Sequence, residues 1–235
     1  MRTACELHMF RSKVSASLTK ARNNCTKEEE MILLLEKEID LKNSKVLYSE
    51  ELTEAEIAKN WEVGRGKWRV NDGWLEGSHP ENNGGLIYTK QHFHCNAMME
   101  FEGRTVPPSD HDLNFVWCTE GWDKKTNDNG TGYIAGLGGW YENKTGIEHY
   151  PECKTQSITS AFKLETGRTY KIQAGSIDGH CFIIVDGNLI IEVFDPDPID
   201  YNKCGKVGFG VYASHIQFRN LKVYEINWRK RNQAY

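Results

Sequence analysis

Between residues 162 and 226 β-rich apolar runs are separated by tight-turn signals, and the last run alternates apolar and polar positions, which predicts consecutive antiparallel strands. Asp178-Gly179 and Asp186-Gly187 each sit between β-rich runs. A two-residue Asp-Gly link suits a type I′ turn, whose central residues need positive φ and whose twist matches that of the flanking strands. A three-stranded meander is therefore expected. In the last run Ile216, Phe218, Leu221, Val223 and Ile226 are apolar. Their spacing slips by one at Asn220, which predicts a bulge.

Further upstream, Leu113, Phe115 and Trp117 share one face of a predicted strand and Asp112, Asn114 and Cys118 the other. The first set is expected in the core and the second on a groove. Four glycines at 132, 136, 138 and 139 interrupt the next strand, and glycine inside a strand often marks a bulge or a close approach, here space above the sheet. Trp140 and Tyr141 follow and point to opposite sides, so one of them can flank that space. Near the amino terminus the run 26–41 opens with a capping-box pattern, Thr26 and Glu29, followed by Ile32, Leu35 and Ile39. It predicts a short amphipathic helix. A second capping signal, Thr53 with Glu56, predicts a helical turn that Trp61 anchors.

The strand order 162–226, together with WRVNDGWLEG (68–77) and GGLIYTKQHFHCNAMMEFEGR (84–104), resembles concanavalin-A-like jelly-roll domains linked to carbohydrates. Among these it is similar to the YesU-like proteins of pectin-use operons and, more distantly, to 3-keto-disaccharide hydrolase domains. The resemblance covers about residues 46–226 and implies an all-β, concanavalin-A-like jelly-roll β-sandwich over 46–228; the short helical extension over 1–45 lies outside it and is read from the local pattern, and residues 229–235 are expected as a tail. At 235 residues the chain has room for one large sandwich and no second full domain.

Charge and cysteine usage narrow the function classes. The net charge of −4 comes from well-mixed residues with no basic stripe, which disfavours nucleic acid. The longest apolar run near the amino terminus, residues 31–35, is too short to cross a bilayer, so no membrane association is expected. The seven cysteines are odd in number, widely spaced and without a CxxC pair, which suggests reduced thiols in a cytoplasmic protein. No phosphate loop or dinucleotide fingerprint is present. The acidic loops 123–130 and 195–200 carry oxygen ligands at spacings compatible with calcium without the full loop pattern, so no cofactor is expected beyond such a divalent cation. The partner expected is a small carbohydrate or glycoside, and a homo-oligomer is compatible with the sequence.

Candidate chemistry concentrates in residues 78–152. Glu148, His149 and Tyr150 place a carboxylate, an imidazole and a phenol side by side. If Ile147 points inward, Glu148 and Tyr150 face one side and His149 the other. His149 and Glu148 are the candidate bases, and His79, in the loop 78–85, is the candidate partner acid. Asn114, Trp122, Trp140, Tyr141, Tyr150 and His111 are candidate sugar contacts, the tryptophans as stacking platforms. No metal-binding residues are assigned. There is no alternating ExDxE array of the kind that gives a retaining glycosidase two carboxyl groups about 5 to 5.5 Å apart. The resemblance implies instead cleavage of an oxidised 3-keto glycoside by elimination and hydration, for which one modest base suffices. The alternative is a non-catalytic, lectin-like carbohydrate-binding module.

Overall fold

The computed structural model describes residues 31–79, 84–154 and 156–232. Contacts divide the chain into two compact units, one of Met1–Ser44 with Asn227–Tyr235 and one of Lys45–Ile226. In the first, Met31–Leu33, Lys37–Asp40 and Trp228–Lys230 form a three-stranded antiparallel sheet. The helix expected over 26–41 is thus corrected: its described part, from residue 31, is a hairpin, and residues 26–30 lie outside the described residues. Ile39 is buried opposite Trp228, and Leu34 is buried while Leu33 and Leu35 are exposed. Pairing with a strand some 190 positions away overrides the local helical pattern. It also draws Arg229 and Lys230, expected in the tail, into the sheet.

The large unit is a sandwich of two antiparallel sheets. One has seven strands in the order Gln156–Thr159, Lys144–Tyr150, Gly132–Trp140, Leu113–Thr119, Lys206–Tyr212, Gly84–Thr89 and Trp61–Arg65. The other runs Asn188–Phe194, His180–Val185, Tyr170–Ile177, Ala97–Thr105, His215–Glu225, Trp74–Ser78 and Lys67–Asn71, with Lys45–Glu50 also paired to His215–Glu225. The jelly-roll class expected from the sequence is the class observed. No helix of the described residues is long and apolar enough to cross a membrane.

Alternation decides which residues lie between the sheets. Leu113, Phe115 and Trp117 are buried opposite Leu137, Ala135 and Tyr133. Phe209 from the first sheet stacks on Phe218 from the second with ring centroids 4.0 Å apart, and Phe101 meets both edge-on. Each such ring removed from water contributes about 1.5 to 3 kcal/mol. Both Asp-Gly links adopt positive φ at each central residue, 49° and 80°. The bulge at Asn220 is present, with φ at 57° and a register shift between Arg219 and Lys222. The capping box at Thr53 is complete and opens the helix Glu54–Asn60. The following Trp61 is buried, its Nε1 donating to Glu50.

Cys118 departs from the alternation. It was expected on the groove face, but its φ of 45° and a register shift in the pairing with Lys206–Tyr212 turn the thiol into the main core, 3.7 Å from Ser176 Oγ.

Candidate functional site

The face of the seven-stranded sheet turned away from the core carries a cavity of about 420 Å³. Its walls are the alternate residues of four adjacent strands. Asn114 is paired with Gly136 and with Gly210, Ile134 with Glu148, and Gly132 with Tyr150. A side chain at Gly136 would run into Asp112 Oδ1 at 2.7 Å, and one at Gly146 would meet the Trp140 ring at 2.9 Å. The glycines therefore do make room above the sheet, and the room is taken by Asp112 and Trp140. Asn114 donates through Nδ2 to Asp112 Oδ1 at 3.3 Å.

Asp112, Glu148 and Asp128 line this cavity, and the first two are held towards the protonated form. Burial raises Asp112 to about 7, partly offset by the hydrogen bond from Asn114, with the charge of Glu148 adding to the rise. Burial likewise raises Glu148, against a hydrogen bond from Cys153. Loss of hydration penalises the charged carboxylate, and a nearby like charge does the same. Tyr150 donates to Asp128 Oδ2 at 2.8 Å. Its phenol is raised by burial and by that carboxylate.

The far wall is Arg65, whose Nε donates to the Gly84 carbonyl at 2.6 Å and Nη1 to that of Asn127 at 3.1 Å. The guanidinium lies 4.7 Å from the Trp122 ring centroid. Trp122 itself, from the short hairpin Trp122–Asp123 with Asp128–Asn129, packs on an apolar patch of Leu86, Tyr88, Val116 and Ile134. It braces Arg65 from outside the cavity lining.

Of the residues singled out from the sequence, Glu148, Asn114, Trp140 and Tyr150 meet here. His149 does not. It is buried on the core side of the same strand, Nδ1 2.7 Å from Asp195 Oδ2, as alternation requires once Ile147 points inward. The strand backbone separates its ring from the cavity, so the structure offers no path by which it could act as base there. Tyr141 is 81% exposed, and its place in a short 3₁₀ turn carries it off the strand. His79 and His111 line a different cavity, of about 580 Å³. Asp112 was legible only as a groove-facing partner of Asn114, Asp128 only as part of the acidic loop 123–130, and Arg65 gave no signal, because a hairpin and an edge strand bring the last two in. Asp123, in the acidic loop 123–130, uses its carboxylate to accept from Lys125 N and Thr126 Oγ1. Among the described residues no group of three or more His, Cys, Asp or Glu is arranged to hold a metal ion.

The comparisons with known proteins bear on this cavity through the fold. The model of the 3-keto-alpha-glucoside-1,2-lyase-like domain matches residues 49–224. The chain belongs to that family. It is similar in structure to a protein of unknown function with a galectin-like fold from Bacillus subtilis, at 12% identity and a TM-score of 0.61, covering 78% of this chain and 98% of that one. It is also similar to the carbohydrate-binding module CBM66 from Bacillus subtilis, at 14% identity and a TM-score of 0.55, covering 70% and 94%. A third similar structure is the exoplasmic/lumenal domain of VIP36 in its Ca2+/Man3GlcNAc-bound form, at 12% identity and a TM-score of 0.55, covering 79% and 91%. No curated protein matches the chain in sequence.

Proposed function

We propose that this family member cleaves an oxidised, 3-keto glycoside by elimination followed by hydration, with the Asp112–Glu148 cavity as its active site. The observation that carries the reading is the pair of carboxyl groups with raised pKa facing one cavity beside an aromatic wall. A titratable pair pushed from its ordinary range in a cleft is a reasoned mark of acid–base chemistry.

A ketone at C3 acidifies the proton on C2. Glu148 takes that proton, and the C–H electrons form an enolate with the carbonyl. The enolate collapses to a C1–C2 double bond as the C1–O bond breaks, and the departing oxygen takes a proton from Asp112. With its pKa at about 7, Asp112 still carries that proton in an appreciable fraction of molecules at neutral pH. Water then adds at C1 while C2 is reprotonated, leaving the 3-keto sugar and the alcohol. The Asn114 amide and the remaining N–H groups of Arg65 supply donors to the enolate oxygen and the ring hydroxyls. Trp140 supplies the stacking face.

The cysteines among the described residues are all free, which supports a reducing compartment such as the cytoplasm. A binding-only reading is favoured by the likeness to a carbohydrate-binding module. Purified protein incubated with 3-keto and unmodified α-glucosides separates the two. Release of the aglycone from the 3-keto compound alone supports cleavage, whereas saturable binding without product supports the binding module.

A further inference from the structure

The groups along the Asp112–Glu148 cavity follow one another in a fixed order. In the seven-stranded sheet Glu148 stands on Lys144–Tyr150, Asp112 at the entry to Leu113–Thr119 two strands further on, and Arg65 on the edge strand three beyond that. Adjacent strands lie about 4.8 Å apart, so this line is longer than one sugar ring. If Glu148 takes the C2 proton and Asp112 protonates the departing oxygen, the oxidised sugar lies over Glu148 and Trp140, and the leaving group extends past Asp112 towards Arg65. The half of the cavity beyond Asp112 is therefore leaving-group space.

That half is cleared by glycine and closed by Tyr212 and Arg65. A side chain at Gly210 would collide with the Asn114 amide. Tyr212 is directly opposite Gly84 on the neighbouring strand and 47% exposed, whereas Val211 before it is buried in the core, so alternation turns the Tyr212 ring to the cavity. The Gly84 carbonyl accepts from Arg65 Nε at 2.6 Å. Both wall residues are thus set by one glycine.

Arg65 itself is fixed without being neutralised. Besides the Gly84 carbonyl it holds that of Asn127 through Nη1 at 3.1 Å, and its guanidinium lies 4.7 Å from the Trp122 ring centroid. Trp122 comes so near because a side chain at Gly64 would run into it. These partners are two carbonyls and a ring, and none carries a charge. Among the described residues Arg65 forms no ion pair, and Nη2 makes no hydrogen bond. The carboxyl groups of the cavity are engaged elsewhere. Asp128 accepts from Tyr150 through Oδ2 and from Asn129 N through Oδ1, both at 2.8 Å, and Asp112 and Glu148 are held towards the neutral form. The edge of a guanidinium formed by Nη1 and Nη2 matches the two oxygens of a carboxylate. Because the side chain is already ordered, pairing with it costs little entropy, whereas a neutral ligand leaves the cation unpaired.

We infer that the cavity selects glycosides whose leaving group carries a carboxylate, which Arg65 binds at the end opposite Glu148 while Tyr212 lies against the body of the group. The inference rests on reading the cavity as the site of 3-keto glycoside cleavage. An aromatic acid and a uronic acid are two chemical sources of such a leaving group.

Two matched pairs of 3-keto α-glucosides test this: those of 4-hydroxybenzoate and 4-hydroxybenzamide, and those of glucuronate and glucose. Exchange of carboxylate for amide keeps the shape, and the amide is the better leaving group, so a preference for the acid does not arise from leaving-group strength. In wild type kcat/KM for the acid is expected to exceed that for its neutral partner about 10- to 100-fold in at least one pair, the scale of a hydrogen bond to a charged group. A preference in the first pair alone assigns aromatic acids, and in the second alone uronic acids. Arg65→Gln should bring the acid down to the level of its neutral partner. Arg65 also ties two loops, so the wild-type comparison is repeated at raised ionic strength, where the preference should shrink without any substitution. Tyr212→Ala should slow both members of a pair. Equal kcat/KM within both pairs in wild type overturns the inference and leaves the cleavage reading standing, and so does a preference that survives Arg65→Gln. Cleavage of none of the four glycosides overturns both.

Discussion

Asp195 Oδ2 receives two hydrogen bonds inside the sandwich, from His149 Nδ1 at 2.7 Å and from the Tyr133 hydroxyl at 2.9 Å. His149 and Tyr133 are directly opposite on neighbouring strands, and Asp195 Oδ1 accepts from Asp197 N in the loop 195–200. The acidic loop that suggested calcium therefore turns its first carboxylate inward, where it ties the loop to the strand bearing Glu148.

His149→Ala takes one hydrogen-bond partner from the buried Asp195 carboxylate and a ring contact from Tyr133. Such a loss costs about 1 to 3 kcal/mol. Chemical denaturation should show a fall of that size, with sugar affinity below the transition nearly unchanged, because the ring is on the far side of the strand from the groove. A fall in affinity without a fall in stability would place His149 in ligand binding and contradict its observed facing.

Asp112 makes stability depend on pH. Its pKa is near 3.8 in an unfolded chain and about 7 in the fold. The folded state therefore holds the extra proton between these values, and stability falls as pH rises from about 4 to about 7, by as much as about 4 kcal/mol. Asp112→Asn keeps the shape and the oxygen that accepts from Asn114 and removes the ionisation. The variant should match wild type near pH 4 and exceed it in melting temperature at pH 8. Identical melting curves across the whole range would show that the carboxyl is not desolvated.

How much of this was legible beforehand differs between fold and site. The meander of residues 162–226 was readable because each Asp-Gly turn imposes its own φ values between β-rich runs and the last strand alternates on either side of its bulge at Asn220, so local and global signals agree. The same alternation placed Asn114, Glu148 and Tyr150 on one face. It failed for Cys118, where an unmarked left-handed residue resets the facing, and for Met31–Asp40, where a remote strand decided the structure. Asp112, Arg65 and Asp128 come from a kinked strand entry, an edge strand and a hairpin, and nothing local reports that three such places meet.

Trp140 stands on Gly146 and against Gly136. Gly146→Ala brings a methyl group within 2.9 Å of the indole and, on the pairing strand, within 3.1 Å of the Ser157 carbonyl. The ring must shift, so ligand affinity should fall about as far as in Trp140→Ala, by about 1 to 3 kcal/mol. Calorimetry with a groove ligand checks this. An affinity unchanged in both variants would remove Trp140 from the site.

Glu148 and Cys153 form the last testable pair, with Sγ 3.5 Å from Oε2 and Gln156 Nε2 at the same distance from that oxygen. Burial raises the Glu148 carboxyl, and the thiol hydrogen bond lowers it again. Loss of the donor in Cys153→Ala should move the acidic limb of the pH–rate profile of 3-keto glycoside cleavage to higher pH, and Cys153→Ser should restore it. Glu148→Gln should retain binding and lose about 10² to 10⁴ in turnover, the usual cost of a missing positioned base. The coupling also runs the other way, since Cys153 is raised by burial and by the Glu148 charge. In Glu148→Gln the thiol should therefore ionise at lower pH, which the pH dependence of alkylation at Cys153, followed by peptide mass spectrometry, reads without any substrate. An alkylation profile that does not move would show the two groups to be uncoupled. A normal turnover in Glu148→Gln would remove the carboxylate from the reaction.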